Sequence, residues 1–419
     1  MRIAKMADGI QTSPIITLAA EINERIQRGE KFYNLTIGDF KPQIFSIPEA
    51  LKTEIYKAYE EKQTNYPGAF GMPSLRKAIS QLLLRYSDVN YDPNDILIAS
   101  GGRPLIYSFY RTIIDRGDKV IYPVPSWNNH YYTHLSDAES ILLETTPENN
   151  FMPTAAEIKP HLSDATLIAL CSPLNPTGTV MGKTALEEIC DLVLEENQNR
   201  GPGKKPLYVM FDQIYWLITF GESRHYNAVA LRPEMQDYAV FVDGASKAFC
   251  GTGLRLGWAF GPQDIMKKMR TIVAHIGAWA PKPEQVATGK FLADHASVES
   301  YLNNFRNEVQ QRLDGFYEGF IALKNKGYSV SAIEPQGAIY LTVQLDLRGK
   351  KTASNERLNS NHAVHRYILE EAKVGLVPFH YFGASEESNW YRLSVGTCSL
   401  EEVPEIIASL EKALSGLED

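Results

Sequence analysis

The chain is 419 residues long, enough for one large core and more naturally for two associated domains. Its 44% hydrophobic and 22% charged residues are ordinary for a globular protein, and a formal net charge of −8 leaves no basic footprint for nucleic acid or an anionic membrane. The four cysteines, Cys171, Cys190, Cys250 and Cys398, lack CxxC and Cys/His ligand spacing, which argues against a disulfide framework or a structural zinc site, so no metal is expected.

In chain order, Met1–Gly9 mixes Arg2, Lys5 and Asp8 with small residues and has no apolar leader region. No run of about 18 apolar residues follows anywhere, so neither a membrane span nor export is expected and the default location is the cytoplasm. A helix is predicted from about Pro14 to Arg28, an extended segment over Tyr33–Phe40, and a second helix over Pro48–Glu61. The loop Asn65–Gly71, with Pro67, Gly68 and Gly71, is irregular, and another helix spans Met72–Tyr86. From residue 95 short apolar runs alternate with helical patterns: Ile96–Ser100, Lys119–Val124, Thr166–Cys171, Leu207–Phe211, Ala239–Val242 and Leu256–Phe260. These read as six buried strands of a mainly parallel seven-stranded α/β sheet. Asn197–Pro206 is polar and rich in Gly and Pro, hence a surface loop. Beyond residue 290, long helices and strands near Ala338–Leu345, Val374–Pro378 and Tyr391–Val395 suggest a smaller α+β domain. The expected division is a large domain, 48–295, and a small one combining 1–47 with 296–419.

The chemistry concentrates in loops that follow the strands. Lys247 follows a strand end among small residues, leaving room for a bulky group on its amine, and Arg255 supplies a fixed charge suited to phosphate. A solvated lysine and a plain glycine turn are the bland alternatives. A dinucleotide fingerprint fails here, because Gly251 and Gly253 are followed by glycine at 257, and a strand-like run comes next instead of a helix. Gly101-Gly102-Arg103 stands at a strand-to-helix turn, where backbone N–H groups form an anion site, although such turns are common. Trp127 in Pro125–His130 offers a flat face, or is simply a core tryptophan. In Ser172-Pro173-Leu174-Asn175-Pro176-Thr177-Gly178, two prolines before and after Asn175 can hold its amide in a fixed direction. Asp212 and Tyr215 close another apolar run, Asp212 either as a functional carboxylate or as a helix cap.

Taken together, Ser246-Lys247 followed by Gly253-Leu254-Arg255-Leu256-Gly257, with the Ser-Pro-x-Asn-Pro-Thr-Gly segment, resembles the class I/II aminotransferases of fold type I, which use pyridoxal 5′-phosphate. The motifs match in the family's order across nearly the whole chain. The resemblance implies that Lys247 holds the cofactor and shuttles a proton, with Asp212 and Tyr215 also catalytic. It implies a phosphate shell of Gly102, Arg103, Ser246, Arg255 and Tyr66, with Tyr66 crossing a homodimer interface into a shared site. Trp127 would stack on the ring, Asn175 and Tyr215 would bond its phenolic oxygen, and Arg392 with Gly38 would bind the substrate α-carboxylate, Asn175 and Trp127 also facing substrate. His130 matches a supporting histidine of aspartate aminotransferases, and Gly244 stands where many relatives have another phosphate-binding serine. The implied reaction exchanges an amino group between an amino acid and a 2-oxo acid. Trp127 with His130 favours aspartate or glutamate with 2-oxoglutarate or oxaloacetate, and Arg111, eight residues after Arg103, is the candidate cation for a distal carboxylate. Aromatic or other neutral substrates, or a β-lyase or synthase on the same fold, remain alternatives. A cofactor-binding regulator lacks a basic helix-turn-helix segment here, and a nicotinamide dehydrogenase lacks its glycine fingerprint.

Overall fold

The computed structural model describes residues 3–419. After the short strand β1 (Tyr33–Asn34) come the strands of the main sheet: β2 (Ile96–Ala99), β3 (Lys119–Val124), β4 (Glu139–Glu144), β5 (Ala165–Cys171), β6 (Tyr208–Asp212), β7 (Ala239–Gly244) and β8 (Gly257–Phe260). They form a seven-stranded sheet in the order β2-β8-β7-β6-β5-β3-β4. Neighbours run parallel except at β8, which is antiparallel to both β2 and β7. The α/β expectation holds, and all six anticipated runs lie in this sheet with ends shifted by one or two residues.

β4 is the strand the apolar runs did not announce. It pairs only with β3, at the sheet's edge, and of its residues Leu143 alone is buried. Its apolar run is only Ile141–Leu143 between a polar start and Glu144, too short to stand out, as an edge strand left largely in water allows. By contrast β5, read as Ala-Thr-Leu-Ile-Ala-Leu-Cys, is buried on both faces except at its last residue, as a central parallel strand must be.

The second layer system contains β9 (Val330–Ala332), β10 (Tyr340–Leu345), β11 (Val374–Gly375), β12 (Val377–Pro378) and β13 (Trp390–Ser394). Four of these make an antiparallel sheet ordered β12-β13-β10-β9, while β11 pairs in parallel with β1. The helix His295–Asn325 covers that sheet. Its buried residues Leu302, Phe305, Val309, Leu313, Phe316, Phe320 and Leu323 recur every three or four positions, the stripe that an amphipathic helix presents to one core. Asp294 caps it, accepting the Ser297 N–H at 3.2 Å. Val298 and Leu302 belong to the core of the main sheet, and Phe305 onward to the core of the smaller one, so this helix ties the two together.

Two local expectations need correction. Only Tyr33–Asn34 of the anticipated extended segment is strand. The helix Lys183–Asn199 runs into the anticipated loop, because the Asn197 side chain both donates to the Leu207 carbonyl (2.9 Å) and accepts the Leu207 N–H (2.7 Å), pinning helix end to strand start. The helices Pro14–Gln27, Glu49–Glu60 and Pro73–Ser87 fall within one residue of expectation at each end. The crevice outside the carboxyl ends of the parallel strands β3 to β7 is where α/β folds place ligands.

Candidate active site

A cavity of about 510 Å³ opens in that crevice. Gly38, Gly102, Arg103, Trp127, Asn175, Asp212, Tyr215, Ser246, Lys247, Arg255 and Arg392, which the sequence placed in separate motifs, all line it. Most enter from the loops after β2, β3, β5, β6 and β7; Arg392 comes from β13 and Gly38 from the segment after β1.

Lys247 sits on the short helix Ala245–Ala248 that begins as β7 ends, and its ammonium donates to the Gly38 carbonyl at 2.5 Å. Burial lowers its pKa to about 8; Asp39 opposes the shift and Arg392 reinforces it. The Asp212 carboxyl is displaced the other way. Burial pushes it up to about 6, while the Ile214 N–H at 3.1 Å and the nearby Lys247 pull it back. An amine and a carboxyl thus both titrate close to neutrality in one enclosed space, a mark of chemical sites.

Arg392 is fully buried, yet its contacts are neutral. It donates to the Asn175 side-chain oxygen (2.9 Å) and the Thr36 carbonyl (2.5 Å), and its guanidinium lies 4.7 Å from the Tyr340 ring centre and 4.9 Å from that of Phe382. Its Nε has no partner among the described residues. Such a fork is built to receive a carboxylate. Tyr215 shares a 2.5 Å hydrogen bond with the Tyr340 hydroxyl.

At the opposite end, the backbones of β2 and β8 touch. A Cβ on Gly257 would stand 2.5 Å from the Gly101 carbonyl carbon, so no side chain fits there. This contact sets Arg255, which donates to the Thr252 (2.8 Å) and Ser100 (3.1 Å) carbonyls, beside the N-terminus of the helix Gly102–Ile113. Helix N–H groups and a guanidinium converge there on anion-binding geometry. The arrangement fits a flat group with an anionic end at this corner, a protonated ring nitrogen facing Asp212 and an aldehyde within reach of Lys247.

Three anticipated residues lie elsewhere. Tyr66 is 81% exposed and meets Trp279 edge-on at 5.3 Å instead of lining this chain's own cavity. Arg111 is exposed and sits beside Asp115. Eight residues are two helical turns, which carry it about 12 Å along the axis from Arg103, so its assignment as the distal cation is withdrawn. The His130 ring lies tilted at 41° against that of Tyr131, with centres 3.9 Å apart, and lines a separate cavity of about 420 Å³. Sequence reasoning missed Tyr340, Cys171 and the pair Ile15 and Ile16, which also line the main cavity. It also missed Asp243, buried behind Asp212, which accepts from the Gly244 N–H (2.6 Å) and Trp216 Nε1 (2.7 Å) and is pushed by burial up to about 8. Its position one residue before Gly244, in the lysine segment, was the available signal.

The chain matches the family "Aminotransferase class I and II" over residues 30–410. It is 28% identical to a probable aspartate/prephenate aminotransferase of Rickettsia felis, covering 99% of this chain and 97% of that one. It is 26% identical to the aspartate aminotransferase of Geobacillus stearothermophilus, with 95% of both chains covered. Among solved structures, the Thermus thermophilus aspartate aminotransferase with maleate superimposes with a TM-score of 0.86 at 25% identity, over 99% of this chain and 100% of that one. The Rhizobium meliloti aspartate aminotransferase reaches 0.90 at 24% identity over the full length of both, a likeness of fold.

The buried Asp212 makes a stability prediction. Its folded carboxyl binds a proton more tightly than the ordinary value of 3.8, so ionising it costs stability that grows as pH rises from that value through about 6. Asp212→Asn keeps an acceptor for Ile214 and removes the charge. The ligand-free variant should therefore melt higher than wild type at pH 8, by at most about 3 kcal/mol of stability, with no difference at pH 3. Calorimetry showing an equal or lower melting temperature at pH 8 would refute this.

Proposed function

The chain belongs to the class I and II aminotransferases and is a pyridoxal-phosphate-dependent transaminase, and we propose that it exchanges amino groups between aspartate or glutamate and the 2-oxo acids 2-oxoglutarate and oxaloacetate. The observation that carries the site assignment is Lys247, a buried amine with its pKa lowered to about 8, in one cavity with Asp212 and Arg392. When bound, the cofactor supplies an electron sink for the bond broken at the substrate Cα.

The chain's own residues do the rest. Lys247 would hold the cofactor through its amine and, with that amine free, would take the proton from the substrate Cα on Nζ as a base and pass it on as an acid. A pKa near 8 gives both protonation states at working pH, as an alternating base and acid requires. Asp212 would pair with the ring nitrogen and keep it protonated. Asn175 and Tyr215 would donate to the phenolic oxygen, Trp127 would stack on the ring, and Gly102 and Arg103 backbone N–H groups with Ser246 and Arg255 would hold the phosphate. Arg392 forks the α-carboxylate beside Gly38 and so presents the Cα–H bond to Lys247.

The acidic substrate is supported by the names of the relatives and by one side chain. Arg255 is engaged with two carbonyls and Arg392 with Thr36 and Asn175, whereas the Arg103 guanidinium lies on the Trp127 face, 5.6 Å from its ring centre. With Arg111 too distant, Arg103 is the cavity cation left for a distal carboxylate. We also assign residues 48–295 to a large domain and 1–47 with 296–419 to a small one, a homodimer in which Tyr66 reaches the partner's phosphate site, and a cytoplasmic location that suits four free cysteines.

Three measurements test these readings. Borohydride should fix the cofactor on Lys247 in the wild type, whereas Lys247→Ala should show no reducible cofactor–lysine link; such a link in the variant sinks the assignment. Arg103→Gln should lower kcat/KM for aspartate tenfold or more and leave alanine nearly unchanged; equal losses, or a neutral donor outperforming aspartate and glutamate, would overturn the acidic reading. Sedimentation should give about twice the 47.0 kDa chain mass, and a fully active single-chain species would end the role given to Tyr66.

A further inference from the structure

Tyr340 is a fully enclosed cavity side chain for which neither the sequence motifs nor the proposed roles account. It begins β10 and pairs with Ser394 of β13, while Thr342, two residues on, pairs with Arg392. Side chains two apart on a strand share a face, so Tyr340 and Arg392 lie diagonally on the same side of the small sheet. Its ring lies under the guanidinium at 4.7 Å, and its hydroxyl meets that of Tyr215 at 2.5 Å. Tyr340, Tyr215 and Arg392 are all at most 2% exposed. Gly38 completes the fit, since a Cβ there would stand 2.7 Å from the Tyr340 hydroxyl.

We propose that Tyr340 is a positioning residue that joins the carboxylate-binding Arg392 to the Tyr215 hydroxyl, so that one side chain of the small sheet sets both the fork and the donor strength of Tyr215. This rests on the role proposed above for Tyr215 at the cofactor's phenolic oxygen. Two hydroxyls in contact hold two protons; one is spent between them and the other points outward. With Tyr340 donating to Tyr215, the outward proton is that of Tyr215, and a hydroxyl that itself accepts a hydrogen bond donates more strongly. Burial raises the pKa of both tyrosines above its ordinary value, so both keep their protons for this chain. A stronger donor stabilises the anionic phenolic oxygen, which lowers the pH at which the loaded protein's visible band titrates. The ring, separately, gives the buried guanidinium a π face.

The hydroxyl and the ring can be separated in the cofactor-loaded protein. Tyr340→Phe should raise the midpoint of the visible band by about half a pH unit or more, while changing the dissociation constant of maleate less than twofold. Tyr340→Leu should raise the midpoint and also weaken maleate at least threefold. The double variant Tyr215→Phe/Tyr340→Phe should move the midpoint no further than Tyr215→Phe alone, because the removed hydroxyl acts only through Tyr215. A Tyr340→Phe midpoint equal to wild type while Tyr215→Phe shifts it, or single-variant shifts that add in the double variant, would overturn the coupling alone. An unmoved midpoint in Tyr215→Phe would remove the role of Tyr215 and the coupling with it. Tyr340→Phe preserves the packed ring, so the decisive arm does not depend on Tyr340→Leu folding.

Discussion

The fold closes around the buried guanidinium of Arg392, which no carboxylate among the described residues pairs with. Arg392 is 1% exposed and its contacts are a carbonyl, an amide oxygen and two aromatic rings. Removing a charge from water without an opposite charge is costly, and arginine cannot escape by losing its proton. The cost is tolerable only because each neighbour is held in place by a different part of the fold: Thr36 by the segment after β1, Asn175 by the loop after β5, Tyr340 by β10. The two sheets are thus fixed around one cation, and an arriving carboxylate would supply the charge that the protein withholds.

The same logic, with signs reversed, governs the floor of the cavity. Asp212 and Asp243 end adjacent strands, both pushed upward by burial, and Asp212 pushes Asp243 further. Asp243 satisfies its oxygens with a backbone N–H and an indole, whereas Asp212 turns toward the cavity. One carboxyl is therefore structural: it fastens Trp216, next to Tyr215, to Gly244, three residues before Lys247. The other is left with capacity to spare, and a cationic ring nitrogen is the partner that would use it.

Much of this was legible before any coordinates. Continuous apolar runs announce strands buried on both faces, so the sheet's interior could be read from sequence; β4, wet on one side, could not. Motif residues clustered at strand ends because that is where parallel sheets leave room for ligands. What escaped were residues whose importance lies in contacts distant in sequence. Tyr340 reads as one more β-sheet tyrosine until Tyr215, 125 residues away, is seen against it. Arg111 failed for a related reason, since helical spacing predicts angular position more readily than distance along the axis. Ile15 and Ile16 occupy consecutive positions of an amphipathic helix, where neighbouring apolar residues need not share a face; the cavity they reach belongs mostly to other segments.

The contact between Gly101 and Gly257 also orders events in time. β2 is among the first strands synthesised, yet its only neighbour in the sheet is β8, whose residues come about 160 positions later. Closing so long a loop is slow, and the intervening strands must be laid down first. The corner formed by Gly102 and Arg255 therefore cannot exist on a growing chain until β8 has been made and inserted antiparallel into the sheet. A cofactor that binds through that corner cannot template the early steps of folding. It acts as an inspector at the end of the line, stabilising only chains whose sheet is already complete.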